Sequence, residues 1–229
     1  MPLRTVSPDV TFANIVRDFE AAWNGIAAAG SHGIGRGNFL FGLFGTILLE
    51  WAFRVCREDP QRESLDRLAR SLYQIEPRYF TPLPPNCGTR QPRDFKLPSV
   101  PEQPPPPLLW ALFDLIRNGQ AHQYQQIPAR LDADFYLWIS IKGAEPGGVF
   151  PGVCARGTSD HLAFCVYRDG NVGVRVRADQ FFWDIRSAVE TSGLLGTGLK
   201  HSYFTRDYGI TRSELLECLK VGKHSEFSE

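Results

Sequence analysis

Eight consecutive residues hold the reactive groups of this chain: Arg117-Asn118-Gly119-Gln120-Ala121-His122-Gln123-Tyr124. The Arg117 guanidinium is a permanent cation that can fork onto a phosphate. The His122 imidazole can move a proton near neutral pH. A fixed cation beside a proton shuttle is the minimum equipment for cleaving RNA without a metal. The ribose 2′-hydroxyl attacks, a neutral imidazole accepts its proton, and an imidazolium protonates the leaving oxygen. Arg117 would stabilise the charge gathering on the phosphorane, with Asn118 orienting it or bonding the phosphate. The octapeptide has one histidine, so a symmetric dimer would supply the second. DNA lacks the 2′-hydroxyl and should resist.

The elements that must position these groups can be read from periodicity. The apolar run Leu108-Leu109-Trp110-Ala111-Leu112-Phe113-Asp114-Leu115-Ile116 predicts a buried helix that ends at the Arg117 motif. Upstream, Ser7, Pro8 and Asp9 suit the cap, first turn and dipole of a helix. Phe12, Ile15, Phe19, Trp23 and Ile26 then share one of its faces. Residues 27–37 form a small, glycine-rich connector. Asn38 is placed to cap a second helix running to Cys56, apolar nearly all round and therefore expected at the centre of the fold. A third helix is predicted from Gln61 to Ile75, with Leu65, Leu68 and Leu72 on one side. Residues 77–107 hold eleven of the seventeen prolines, which predicts an extended connector without helix.

The pattern changes after the motif. Phe135, Leu137, Ile139 and Ile141 alternate with Tyr136, Trp138, Ser140 and Lys142, as in a strand. Residues 143–157 read as a loop. Segments 161–167 and 172–177 flank Asp169-Gly170-Asn171, a hairpin turn. Asp179 is placed to cap a helix carrying Phe181, Phe182, Ile185 and Val189, and Thr211-Arg212-Ser213-Glu214 is a capping box for a last helix. The predicted fold is mainly α: a helical bundle (about 7–130), a small antiparallel β insertion (about 131–178) and C-terminal helices (about 179–229), in one domain.

The bulk numbers narrow the function. Net charge is zero, with 25 basic and 25 acidic residues, so no broad field gathers nucleic acid. RNA would have to be held by a local patch. Five widely spaced cysteines without a Cys-x-x-Cys argue against a disulfide framework or zinc site and for a reduced, cytoplasmic setting. The N-terminus has no apolar signal core, and the apolar segment from Phe39 to Leu49 is too short to span a bilayer. The remaining histidines have no ligand-like spacing, and neither a metal nor a cofactor is expected. The glycines at 33, 35, 37, 42 and 45 follow no strand and precede no Gly-Lys-Ser/Thr, so they fit a connector and close helix packing better than a phosphate loop.

Arg-x(4)-His alone is a weak signal. With 20 Arg and 5 His in 229 positions, roughly half a match is expected by chance. A second match, Arg156 to His161, sits in a predicted loop and reads as coincidence. Context separates the first match: an apolar helix before it, Asn118 after the arginine and Tyr124 two residues past the histidine. In these features the octapeptide resembles the Arg-x(4–6)-His motif of the HEPN superfamily, whose members usually carry a polar residue just after the arginine. Beyond the octapeptide the resemblance is architectural, over roughly the first 130 residues and the helix from Asp179. It implies a metal-independent endoribonuclease that dimerises, acting as a toxin or in phage defence, with Arg117 and His122 catalytic and Asn118 assisting. In HEPN toxins paired with a nucleotidyltransferase antitoxin, the motif extends to Arg-x(4)-His-x-Tyr and the tyrosine is nucleotidylated. His122-Gln123-Tyr124 matches that extension, so an antitoxin partner is implied as well.

Structural alternatives stand beside each reading. Gly119 can end the helix in the left-handed cap conformation, with Arg117 facing the negative end of the dipole and His122 purely structural. Tyr124 can be an amphipathic residue at the core edge. Glu50, a charge in an apolar helix, needs a partner; it either reaches Arg117 or His122 across the bundle or pairs with Arg54 one turn on. Arg168, Arg175 and Arg177 form either a basic face on the hairpin or solvated strand ends. In function, the alternative to the ribonuclease is a non-catalytic HEPN-like module binding a nucleotide, RNA or protein partner. A third reading places unrelated chemistry in the insert, around His161.

Overall fold

A computed structural model describes residues 5–28, 38–61, 63–83, 107–123, 129–132, 135–142, 153–154, 161–166, 172–197, 201–202 and 213. Residues 6–201 cluster as one unit; residues 1–5 and 202–229 make up a second, small one. The described chain is mainly helical. Its elements are β1 (Thr5–Val6), α1 (Pro8–Ala28), α2 (Asn38–Arg57), α3 (Glu63–Ile75), a 3-10 turn (Pro77–Phe80), α4 (Leu108–Gln123), β2 (Ala129–Asp132), β3 (Phe135–Lys142), β4 (Val153–Cys154), β5 (Ala163–Val166), β6 (Val172–Arg177), α5 (Ala178–Thr191) and β7 (His201–Ser202). The capping box at Thr211 lies outside the described residues except for Ser213.

Helix α1 starts where its sequence signals place it. The Ser7 carbonyl accepts from the Val10 and Thr11 amides at 3.1 and 3.4 Å, and the Ser7 hydroxyl accepts from the Asp9 amide at 3.3 Å. Phe12, Val16 and Phe19 are buried, with Ile15 and Trp23 packed beside them. The Phe19 ring stacks on Phe182 of α5, centroids 3.7 Å apart and planes within 5°, and meets Phe41 of α2 edge-on at 5.4 Å. One side chain thus joins three helices.

Helix α2 packs against α1, α3, α4 and α5. Phe41, Leu48, Leu49, Trp51, Ala52, Val55 and Cys56 are buried on it. Its sequence is apolar nearly all round, yet it is not enclosed: Leu40 and Ile47 are 44% and 41% exposed. Its closest approach is to α5, where a Cβ at Gly45 would lie 2.5 Å from Cδ1 of the fully buried Phe181. The predicted α3 is confirmed from Glu63, and a residue the sequence reading passed over secures its start. Asp59 accepts from the Ser64 amide at 2.8 Å and the Ser64 hydroxyl at 2.5 Å. These bonds hold the Asp59 carboxyl below its ordinary range.

Several expectations are corrected. Pro77–Phe80 is helical despite the proline density: proline suits the first position of a helical turn, and the Glu76 carboxylate caps it by accepting from the Arg78 amide at 3.1 Å. The ends of the proline-rich segment meet in a Pro82–Pro107 bridge, with the Leu108 amide donating to the Thr81 carbonyl at 2.8 Å. Helix α4 ends within the Arg117 motif, at Gln123, but it runs through Gly119, which therefore does not cap it. A helix-interior glycine costs only about 1 kcal/mol, too little to end a helix whose first turns are buried. Asp179 lies inside the first turn of α5, Arg177 being the cap residue.

The β insertion is mixed, not antiparallel. Its strand order is β2-β3-β6-β5-β4. The predicted hairpin is present, β5 pairing antiparallel with β6 from Ala163↔Arg175 to Val166↔Val172. However, β3 pairs parallel with β6, Leu137↔Val172 through Lys142↔Arg177. The long connection after β3 allows a parallel return that a tight turn would forbid. Part of the expected loop at 143–157 forms the short edge strand β4.

Gly45→Ala should cost about 1–3 kcal/mol, because the added methyl would force the fully buried Phe181 ring or α2 itself to shift. A lower urea midpoint at unchanged slope is the expected result; an unchanged midpoint would refute this account of the α2–α5 contact.

Candidate functional site

The solvent-facing end of the α2–α4 contact carries charge. Glu50 and Arg54 are one turn apart on α2, and Arg117 lies opposite on α4. Glu50 binds both arginines at once: Oε1 accepts from the Arg54 Nη2 at 2.5 Å, and Oε2 from the Arg117 Nε at 2.5 Å. The two pairings that the sequence left as alternatives are both made. A carboxylate has two oxygens with lone pairs in its plane, and here each serves one guanidinium. The side chains remain accessible, 52% exposed for Arg54, 23% for Glu50 and 35% for Arg117. Arg117 is therefore tethered but not buried. Only one of its N–H donors is spent on Glu50.

His122 follows Arg117 on the same uninterrupted helix. At 3.6 residues per turn, five residues place the two backbone positions about 140° apart around the axis and about 7.5 Å along it. They do not share a face of α4. Asn118 lies between them on the helix, next to Arg117. The side chains of Asn118 and His122, and all of Tyr124, lie outside what is described.

A different constellation emerges in the core. Tyr79 of the 3-10 turn, His161 just before β5 and Asp184 of α5 form a closed polar joint. The Tyr79 hydroxyl lies 2.8 Å from the His161 Nε2 and donates to the Asp184 Oδ2 at 2.9 Å; the Nε2 is 3.3 Å from that same oxygen. The Arg177 amide donates to the His161 Nδ1 at 3.2 Å. That contact fixes the proton order. Nδ1 is the acceptor, so the ring hydrogen sits on Nε2 and points to the tyrosine oxygen, whose own hydrogen goes to Asp184. Gln180 satisfies the second carboxylate oxygen at 2.7 Å. Burial and the neighbouring Asp184 push the Tyr79 phenol well above its ordinary range.

All three residues are buried. A reaction centre around His161 would need a route to solvent, whereas a network with each polar atom partnered is what a core requires. His161 is thus a structural histidine. No spacing rule could reveal it, since its partners come from the 3-10 turn and α5. Nearby, Arg78 donates to Glu76 at 2.7 Å through Nε and at 2.5 Å through Nη2, which lowers the Glu76 carboxyl. Arg175, expected at the surface, is buried, and Arg177 pairs with Asp179 at 2.7 Å. Arg168 lies outside the described residues. Burial, and next Asp59, push the Cys56 thiol up to about 12, which leaves it unreactive.

Among the described residues, no cluster of three or more His, Cys, Asp or Glu is placed to hold a metal ion. No helix there is long and apolar enough to cross a membrane. No protein family, curated protein or solved structure matches the chain.

Tyr79→Phe should destabilise the fold by about 1–3 kcal/mol, since it strips a partner from a buried carboxylate and a buried imidazole. Thermal unfolding measures it, and an unchanged midpoint would show that the joint carries no stability. For Glu76 the folded carboxyl is depressed, so its contribution is complete above its ordinary value of 4.5 and is lost as the pH falls through the folded value. The Glu76→Gln variant should accordingly unfold earlier than the parent at about pH 7, with the gap narrowing as the pH falls below the ordinary carboxylate range. A gap independent of pH would contradict this assignment.

Proposed function

We propose that this chain is a metal-independent endoribonuclease of HEPN type, acting in the cytoplasm as a homodimer in a toxin or phage-defence role. The observation that carries the reading is an accessible Arg117, held by Glu50 across two helices, with His122 five residues further along the same helix. An arginine oriented by a carboxylate is prepared to receive phosphate oxygens without first losing rotamer freedom. His122 would take the proton of the 2′-hydroxyl and Asn118 would assist Arg117 at the phosphate.

The angular separation on α4 favours a site shared between two chains, with the arginine of one facing the histidine of the other. Helix α2 offers a surface for such a pairing. Leu40, Leu43 and Ile47 recur at spacings of three and four and so run along one stripe that stops short of Glu50, and Leu40 and Ile47 are exposed on it. A dimer formed there would cover apolar surface beside Glu50 and Arg117. Nucleotidylation of Tyr124, two residues past His122 in the sequence, by an antitoxin partner would add phosphate charge that competes with substrate for Arg117.

A second reading has one specific observation in its favour. The Glu50–Arg117 tie is also what a purely structural ion pair looks like, which suits a non-catalytic module that binds a nucleotide, RNA or protein. Incubation with a 2′-hydroxyl RNA and its all-deoxy counterpart in excess EDTA separates the two. The ribonuclease reading expects RNA cleavage only, from a species of twice the monomer mass by sedimentation, with rates at least about a hundredfold lower in His122→Ala and Arg117→Ala variants that keep the parental unfolding midpoint. Intact RNA with the dimeric wild-type protein would refute it and leave the binding module.

A further inference from the structure

Arg54 entered the sequence reading only as a neighbour able to neutralise Glu50. Its position in the fold assigns it more. A single carboxylate holds two guanidiniums, one on each oxygen, so Arg54 and Arg117 are brought within a few ångströms of each other from different helices. Two cations and one anion leave this group with a net positive charge. Asp114, one turn before Arg117, and Arg57, one turn after Arg54, flank it and are engaged in interactions of their own.

The chain as a whole has no net charge. Long-range attraction cannot collect a polyanion, so affinity for one must come from a local convergence of cations. The Glu50 bridge is such a convergence. Successive phosphates, one against each guanidinium on the side away from Glu50, would complete an alternation of charge in which each arginine lies between two anions. Arg54 is the more exposed of the pair, at 52%, so its guanidinium can be reached from solvent.

We propose that Arg54 is a second phosphate-binding residue of the site. Arg54 and Arg117, aligned by Glu50, hold neighbouring phosphates of one nucleic-acid strand, Arg117 at the reacting phosphate and Arg54 at the adjacent one. Glu50 is then a positioning residue, fixing the spacing between the two cations. This inference rests on the ribonuclease reading for the identity of the ligand but not for its charge.

Binding of a fluorescent all-deoxy oligonucleotide, which cannot be cleaved, tests it without requiring turnover. Full-length wild type, Arg54→Ala and Arg54→Lys are titrated at several salt concentrations, with unfolding midpoints as a control for the fold. Arg54→Ala is expected to bind about tenfold more weakly at low salt and to lower the slope of log affinity against log salt by about one, while Arg54→Lys keeps the slope. With RNA, KM should rise in Arg54→Ala. Wild-type affinity and slope in a folded Arg54→Ala variant would overturn the proposal, even if the protein cleaves RNA. Arg54-dependent binding by a protein that cleaves nothing would uphold the anion site and defeat the ribonuclease reading instead.

Discussion

Helix α2 can lie where it does only because residue 45 has no side chain. The ring of Phe181 occupies the space a Cβ would need. That approach sets the distance between α2 and α5 and lets Phe19, Phe41 and Phe182 close around one another. It also fixes the rotation of α2 about its axis. With Gly45, Leu48, Leu49 and Ala52 turned inward, Leu40, Ile47, Glu50 and Arg54 must fall on or near the outer side. The charged group at the α2–α4 contact is therefore a consequence of core packing. The same geometry that buries the helix decides which of its residues can meet Arg117.

Two polar groups divide the labour of the described fold. The one at the surface has its charges exposed and its carboxylate shared, and it is open to exchange with solvent ions. The one in the core, Tyr79 with His161 and Asp184, is closed, each hydrogen having a single destination. Histidine and aspartate inside a protein invite a catalytic interpretation. Here the accounting of donors and acceptors argues the other way. Nothing in the buried group lacks a partner, whereas the surface group has more cation than anion.

Much of the helical part was legible in the chain. Ser7, Pro8 and Asp9 gave away the start of α1, and the leucines of α3 its inward face, because such signals are local. The turn at Asp169-Gly170-Asn171 announced the β5–β6 hairpin for the same reason. What stayed hidden was non-local. The parallel pairing of β3 with β6 depends on how the chain returns, which alternation of side chains cannot express. The start of α3 depends on Asp59, a cap placed before the helix in a stretch without periodicity. Glu50 was recognisable as a charge in need of company, but its double engagement required knowing that α2 and α4 are neighbours. His161 stood in what reads as a chance match, and its partners lie 82 residues before it and at position 184. Gly119, offered only as an alternative helix end, shows the converse. A residue with a strong local preference for ending helices was overruled by the packing of the turns before it.

The location of His161 also bears on how the molecule could have changed over time. It belongs by sequence to the strand-rich segment, but by hydrogen bonding it belongs to the helices, since it completes the coordination of a tyrosine and an aspartate that both come from outside that segment. Removing the strands would take the imidazole away from both, leaving the tyrosine oxygen without its donor and the aspartate one partner short. The segment is thus not a cassette that can be traded in or out while the bundle stays intact. Descendants of this chain would have to keep both parts, or lose the tyrosine and the aspartate together with the histidine.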